Sequence, residues 1–205
     1  MEIKVLTIAD THGELTREEL KEKIEKQKPD ICLLLGDILY NDMKKICEIV
    51  PCMKFGICGN HEYRCFLDNF PDVLDLDKMQ YVHQIRLDDI VQMVSFAGLS
   101  GSIKYTEDHT RYLITQKEAM DSLSKTGPVD ILLTHDKPCF RKPRDYHCSV
   151  HTDAHAGLYG IGKYILEKKP KYVFHGHLHK SETKVIKKHT TVISCYGVEN
   201  HTIEL

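Results

Sequence analysis

No stretch of this sequence is apolar for the roughly 20 residues that a bilayer-spanning helix requires, which argues against a membrane protein. Its start, Met1-Glu2-Ile3-Lys4-Val5-Leu6, enters an apolar run without the basic opening, long apolar middle and small-residue cleavage site of a secretory leader. The expected address is therefore the cytoplasm. No repeat, low-complexity tract or linker interrupts the 205 residues, a length that suits one domain over residues 1–205 with one substantial core. Charge of one sign is lacking too: a formal balance of −2 creates no global field for nucleic acid, and only Lys137, Arg141, Lys142 and Arg144 form a local basic cluster. None of the eight cysteines stands in a Cys-x-x-Cys pair, and Cys32, Cys52, Cys58 and Cys195 lie inside apolar runs, as reduced packing residues do.

Histidine, by contrast, is in excess. Thirteen in 205 residues exceeds what a core needs, and imidazole is the commonest metal ligand. Apolar, β-branched-rich runs recur at Ile3 to Ile8, Ile31 to Leu35, Met53 to Cys58, Ile131 to Leu133, Tyr172 to Phe174 and Thr191 to Cys195, and each reads as a buried strand. Helices are expected after the capping-box pattern Thr16-Arg17-Glu18-Glu19 and near Asn41 to Ile49, Thr115 to Leu123 and Leu158 to Glu167. Alternation from Tyr81 to Gly98 predicts an antiparallel pair. The result is a mixed, layered α/β domain.

Ligands of open α/β sheets bind beyond the carboxyl ends of the strands, and here five of the runs end in polar clusters. They are Asp10-Thr11-His12, Gly36-Asp37, Gly59-Asn60-His61-Glu62, Thr134-His135-Asp136 and His175-Gly176-His177-Leu178-His179. Residues two apart in an extended segment share a face, so Asp10 with His12, and His177 with His179, can converge. Carboxylate, imidazole and amide donors together suit Mn²⁺, Fe²⁺ or Zn²⁺, and one ion would not use so many.

In this order the motifs Asp-x-His, Gly-Asp, Gly-Asn-His-Glu, a lone His after an apolar strand and Gly-His-x-His resemble those of the calcineurin-like metallophosphoesterases, from residue 10 to residue 179. The resemblance implies a four-layer α/β/β/α sandwich of two facing mixed sheets flanked by helices. It further implies that Asp10, His12, Asp37 and His179 hold one divalent ion, that Asp37 bridges to a second, and that Asn60, His135 and His177 complete that second site. Manganese is the first candidate, with iron, zinc, nickel or cobalt as alternatives. The implied reaction is hydrolysis of a phosphate ester by hydroxide held between the ions. His61, with Asn60 and Asp37, forms the catalytic group, His61 standing near the leaving oxygen.

Departures from the family pattern bear on the substrate. Protein phosphatases follow Gly-Asp with an Asp and an Arg that grip a monoester, whereas Tyr40 and Asn41 stand here. That difference disfavours a phosphoprotein and leans toward a small diester. Arg64 offers a replacement guanidinium or else a surface pair. The polar segment 136–157 resembles a substrate-shaping loop, with His155 as a pocket residue, His147 and His151 as weaker ones, and surface histidines as the other reading. His175 reads as a core or supporting histidine, and His83, His109, His189 and His201 as structural. Two other functions fit the same fold: a small nuclease acting on RNA or single-stranded ends, for which the basic cluster is the one signal, and a silent protein-binding scaffold. Against the scaffold, every ligand position and His61 are filled.

Overall fold

Strand β1 (Glu2–Ala9) shows how the apolar pattern builds both sides of a sheet. Successive side chains of an extended chain point to opposite faces. Here Ile3, Val5 and Ala9 join one core cluster while Leu6 and Ile8 join another. The computed structural model describes residues 2–77, 80–87, 90–143, 146 and 153–205. Arg144, His147 and His151 lie outside them.

β2 (Ile31–Leu34), β3 (Met53–Gly56) and β4 (Val73–Asp75) continue from β1 in parallel, and β13 (Gly197–Glu204) pairs antiparallel with β1 at the far edge. A second sheet contains β5 (Tyr81–Leu87), β6 (Ile90–Leu99), β9 (Ile131–Thr134), β10 (Tyr172–His175), β11 (Glu182–Ile186) and β12 (Thr190–Ser194), in the order β11-β12-β10-β9-β6-β5. Its four central strands are parallel, and both edges are antiparallel. β7 (Ser102–Ile103) and β8 (Leu113–Ile114) form a small separate pair.

The two large sheets face each other. Ile3, Ile31, Leu33 and Phe55 of one share a core with Val94, Phe96, Ile131, Leu133 and Phe174 of the other, and Phe55 stacks on Phe96 with ring centroids 4.3 Å apart. On the outer faces lie α1 (Arg17–Gln27) and α2 (Tyr40–Ile49) on one side, and α3 (Gln116–Lys125) and α4 (Tyr159–Lys168) on the other. Leu20, Met43 and Ile46, and Ala119, Leu123, Ile161 and Ile165, bury the inward faces of these helices. The expected sandwich of two mixed sheets between helices is what the chain adopts.

Local sequence sets the ends. The Thr16 hydroxyl accepts from Glu19 N at 3.2 Å to open α1. That helix stops at a left-handed Lys28, because Pro29 disfavours helical geometry in the residue before it. No helix among the described residues is long and apolar enough to cross a membrane.

Because Phe96 is fully buried and stacked across the sheets, Phe96→Ala should cost about 3–5 kcal/mol. Urea unfolding in the presence of a chelator should show this as a lower midpoint with an unchanged slope.

Candidate metal centre

Parallel strands carry their carboxyl ends to one side. β1, β2 and β3 from the first sheet and β9 and β10 from the second therefore deliver their terminal residues to a common place. Backbone bonds lock the ends together: Asp10 N donates to Gly36 O at 3.0 Å, His12 N to Asp37 O at 3.2 Å, and Gly176 N to His135 O at 3.1 Å. Each chain must also turn sharply as it leaves its strand. Asp10, His12, Asp37, His177 and His179 all have positive φ, between 48° and 67°, a conformation uncommon outside glycine and concentrated at functional sites. The loops approach so closely that a Cβ on Gly36 would lie 2.2 Å from Gly59 N, and one on Gly59 would lie 2.2 Å from Asp37 Oδ1. These glycines let the Asp37 and Asn60 loops touch.

All seven residues that the sequence nominates as ligands meet there. Asp10, His12 and His179 form one group whose donor atoms lie within 4.8 Å of one another, and Asp37, His135 and His177 form another. A third group, His12, Asp37 and His61, lies between them. Asn60 Oδ1 is 3.0 Å from His135 Nε2. The ring tautomers are fixed by carbonyls. His135 Nδ1–H donates to Leu35 O at 2.7 Å and His177 Nε2–H to Ala154 O at 3.0 Å, which leaves His177 Nδ1 with a free lone pair and turns His135 Nε2 toward Asn60 Oδ1 and Asp37 Oδ2.

Two observations show that the donors fit a cation. Asp10 Oδ1 is buried without a hydrogen-bond partner, a costly arrangement for a carboxylate. His12 Nε2 and His179 Nε2 face each other at 3.0 Å, so the two ring nitrogens can share a proton or turn both lone pairs to one cation. Electrostatics agree. Burial would raise the Asp37 carboxyl, but His135, 3.4 Å away, outweighs it and holds Asp37 below its ordinary range. Burial would lower His135, and Asp37 instead raises it to about 10. Burial, helped by the His135 charge, lowers His177 to about 3, so that imidazole stays neutral and able to donate.

The chain was compared with known proteins. A family model for calcineurin-like phosphoesterases matches residues 3–181. The chain belongs to that family. A calcineurin-like phosphoesterase is a metal-dependent hydrolase of phosphate esters, and the His and Asp clusters supply the matching donors. An uncharacterized metallophosphoesterase of Aquifex aeolicus (strain VF5) is 34% identical over 86 residues, which are 36% of this chain and 33% of that protein. The match thus spans about a third of that relative's length. The fold is similar to that of TT1561 of Thermus thermophilus, with a TM-score of 0.64, 13% identity and 98% of each chain covered. It is similar also to the phosphopantetheinyl hydrolase of Mycobacterium tuberculosis, with a TM-score of 0.58, 10% identity, and 95% of this chain and 89% of that one covered.

Several other residues surround the donors. Glu62 is buried and accepts from Asp37 N at 2.9 Å, Ile38 N at 2.5 Å and Gly59 N at 2.6 Å. One side chain thereby fixes both turns that carry Asp37 and Asn60. Burial and the neighbouring Asp37 charge push Glu62 up to about 7. His61 N donates to Asp37 Oδ1 at 2.8 Å, while the His61 ring is 40% exposed at the mouth. Sequence reasoning missed Arg111 and Tyr105. Arg111 Nη1 lies 3.3 Å from His61 Nε2 and donates to Tyr105 OH at 2.9 Å, and Tyr105 OH accepts from Asn60 Nδ2 at 3.3 Å. Arg64 has its guanidinium over the Tyr112 ring, 4.3 Å from the centroid. His155 packs its ring against His177, with centroids 5.0 Å apart. His175 is buried and meets Gly176 O through Nδ1 at 3.0 Å, as a core histidine does.

Glu62→Gln presents one oxygen and one amide to three N–H donors, so at least one donor is left facing another. It should lower stability by about 1–3 kcal/mol in chelator and weaken metal binding about 10–100-fold, as read by denaturation and by metal titration.

Proposed function

We propose that the chain hydrolyses small phosphodiesters with two divalent ions. Asp10, His12, Asp37 and His179 would hold the first, and Asp37, Asn60, His135 and His177 the second, with manganese as the first candidate metal. The observation that carries this reading is the position of Asp37. It belongs both to the donor group with His135 and His177 and to the group with His12 and His61. A carboxylate has one oxygen for each side, and its charge offsets repulsion between two cations. When bound, the ions supply a water made acidic near neutral pH and neutralise charge on phosphoryl oxygens.

The remaining work falls to the protein. His61, anchored through its backbone on Asp37 Oδ1, presents Nε2 at the mouth, where it donates a proton to the departing oxygen. Arg111 packs beside that ring, 3.3 Å from Nε2; because a guanidinium only donates, it turns its N–H groups to a phosphoryl oxygen when Nε2 carries the proton, and its packing keeps His61 in place. Its charge is shared with Asp108, 3.2 Å from Nε. One partly neutralised guanidinium suits the single charge of a diester better than the two of a monoester. Tyr40 and Asn41, which replace the monoester-gripping pair, are both exposed, and Tyr40 packs on Phe70 with ring centroids 5.2 Å apart. His155 and Arg64 remain proposed contacts for the remainder of the substrate.

Protein stripped of metal and restored with single ions should cleave a generic nitrophenyl phosphodiester faster than the matching monoester. The reverse order would refute the diester preference and leave the family chemistry standing. His61→Ala should keep its metal content, measured by elemental mass spectrometry, and lose about 10²–10⁴-fold in kcat. Arg111→Ala should raise KM as well as lower kcat, because the guanidinium both binds and positions. Arg111→Lys should recover little of that loss, since an ammonium lacks the planar fork.

A further inference from the structure

Three donors outside the cage converge on one point. Cys195 follows β12 of the second sheet, while Glu199 and His201 alternate along β13 of the first and therefore share a face. Cys195 Sγ lies 3.8 Å from His201 Nε2, and Glu199 Oε2 lies 3.5 Å from the same nitrogen. Thr7 Oγ1 is 2.9 Å from it as well. A catalytic relay would place the acid on one ring nitrogen and the thiol on the other. Here thiol, carboxylate and hydroxyl all face Nε2, and Cys195, Glu199 and His201 bring donor atoms within 4.8 Å of one another, close enough to share one cation.

The separations agree with that reading. Tetrahedral zinc with bonds of about 2.3 Å to sulfur and 2.0–2.1 Å to nitrogen and oxygen puts sulfur about 3.6 Å from nitrogen, and nitrogen about 3.3 Å from oxygen. Both pairs in the structure exceed those values by about 0.2 Å, within reach of a small side-chain adjustment, whereas Thr7 Oγ1, at 2.9 Å, sits at hydrogen-bond distance and supports the ring without being a ligand. A mixed thiolate, imidazole and carboxylate set selects zinc over the harder ions that oxygen-rich cages favour. Glu199 is further oriented by the Ser181 hydroxyl, which donates to its other oxygen. A cavity of about 480 Å³ lined by Lys23, Ser181, Ser194, Glu199 and His201 opens onto the cluster and provides an entry path.

We propose that Cys195, Glu199 and His201 form a separate zinc site that ties the two sheets together where the chain passes from β12 to β13. Water fills the fourth position. Burial pushes the Cys195 thiol above its ordinary value, so its sulfur ionises only for a cation that displaces the proton.

Cobalt(II) distinguishes this site from the main cage, whose donors are nitrogen and oxygen alone. Full-length protein, stripped of metal and titrated with cobalt, should develop intense near-ultraviolet sulfur-to-cobalt charge-transfer absorption. The absorption should persist in Asp37→Asn, which damages only the main cage, and vanish in Cys195→Ser. Loss of even a supporting group costs about 10–100-fold in metal affinity, so the half-buried change His201→Gln should move the titration of this band at least tenfold higher even if Cys195→Ser folds poorly. Cobalt-loaded wild type without the band, or a band unchanged in His201→Gln, would show the cluster to be a hydrogen-bonded network only and overturn the site.

Discussion

Three carboxylates buried at one point are the constraint on which this structure turns. Asp10, Asp37 and Glu62 are each no more than 3% exposed, and burial first, with the charge of Asp37 added, raises both Asp10 and Glu62. Burying like charges together is unfavourable unless each finds a partner. The partners differ. Glu62 takes three backbone N–H groups, Asp37 takes His135 and the backbone of His61, and Asp10 takes the backbone of His177 through one oxygen. The other oxygen of Asp10 is left over. Compensation by the protein is thus complete except where a cation would sit.

The same concentration of function is written into the backbone. Five ligand residues in left-handed geometry cost on the order of 1 kcal/mol or more each, a sum comparable with the whole stability of a typical domain. Asp and His tolerate this conformation better than most side chains, yet the turns persist because bonds between loops over-determine them. Asp10 N to Gly36 O and His12 N to Asp37 O are two such bonds. Since the proposed ligands come from five strands in two sheets, the facing of the sheets through Phe55 and Phe96 is as necessary to the cluster as any one of them. Metal binding and folding are coupled through that geometry.

What could be read from the sequence follows from how local each signal is. The parallel strands are short apolar runs with both faces covered, so their composition alone marked Ile31 to Leu35 or Ile131 to Leu133. The cage residues stand immediately after such runs, where strand-end logic finds them. β11, with Lys184 and Val185 exposed, and β13, whose side chains are mostly half-exposed, lack that apolar signature and were not expected as strands. Arg111 and Tyr105 escaped for a different reason. They sit between β7 and β8, a two-residue pair with no periodicity, and only tertiary pairing returns them to Asn60 through Tyr112 N and Asn60 O at 3.2 Å. Glu62 stood beside a nominated residue, but its role depends on three amides whose direction no sequence pattern reveals.

The cage is also lopsided, and the asymmetry bears on selectivity. Asp37, Asn60, His135 and His177 are buried, whereas His179 and His61 are exposed and His12 half-exposed. A substrate must therefore arrive over the His12, His61 and His179 side. On that rim, Arg111 adjoins His61 and Tyr196 stacks on His179 with centroids 5.1 Å apart. His155 stands against His177 at another margin. On the proposed reading, the buried half of the cage would govern metal retention. The rim side chains hang from loops and not from the paired strand ends, and they reach the buried half through Tyr105, which links Arg111 to Asn60, and through the His155 ring against His177. Discrimination between one phosphate ester and another would, on that proposed reading, reside in Arg111, Tyr196 and His155, and the chemistry common to the family in the residues beneath.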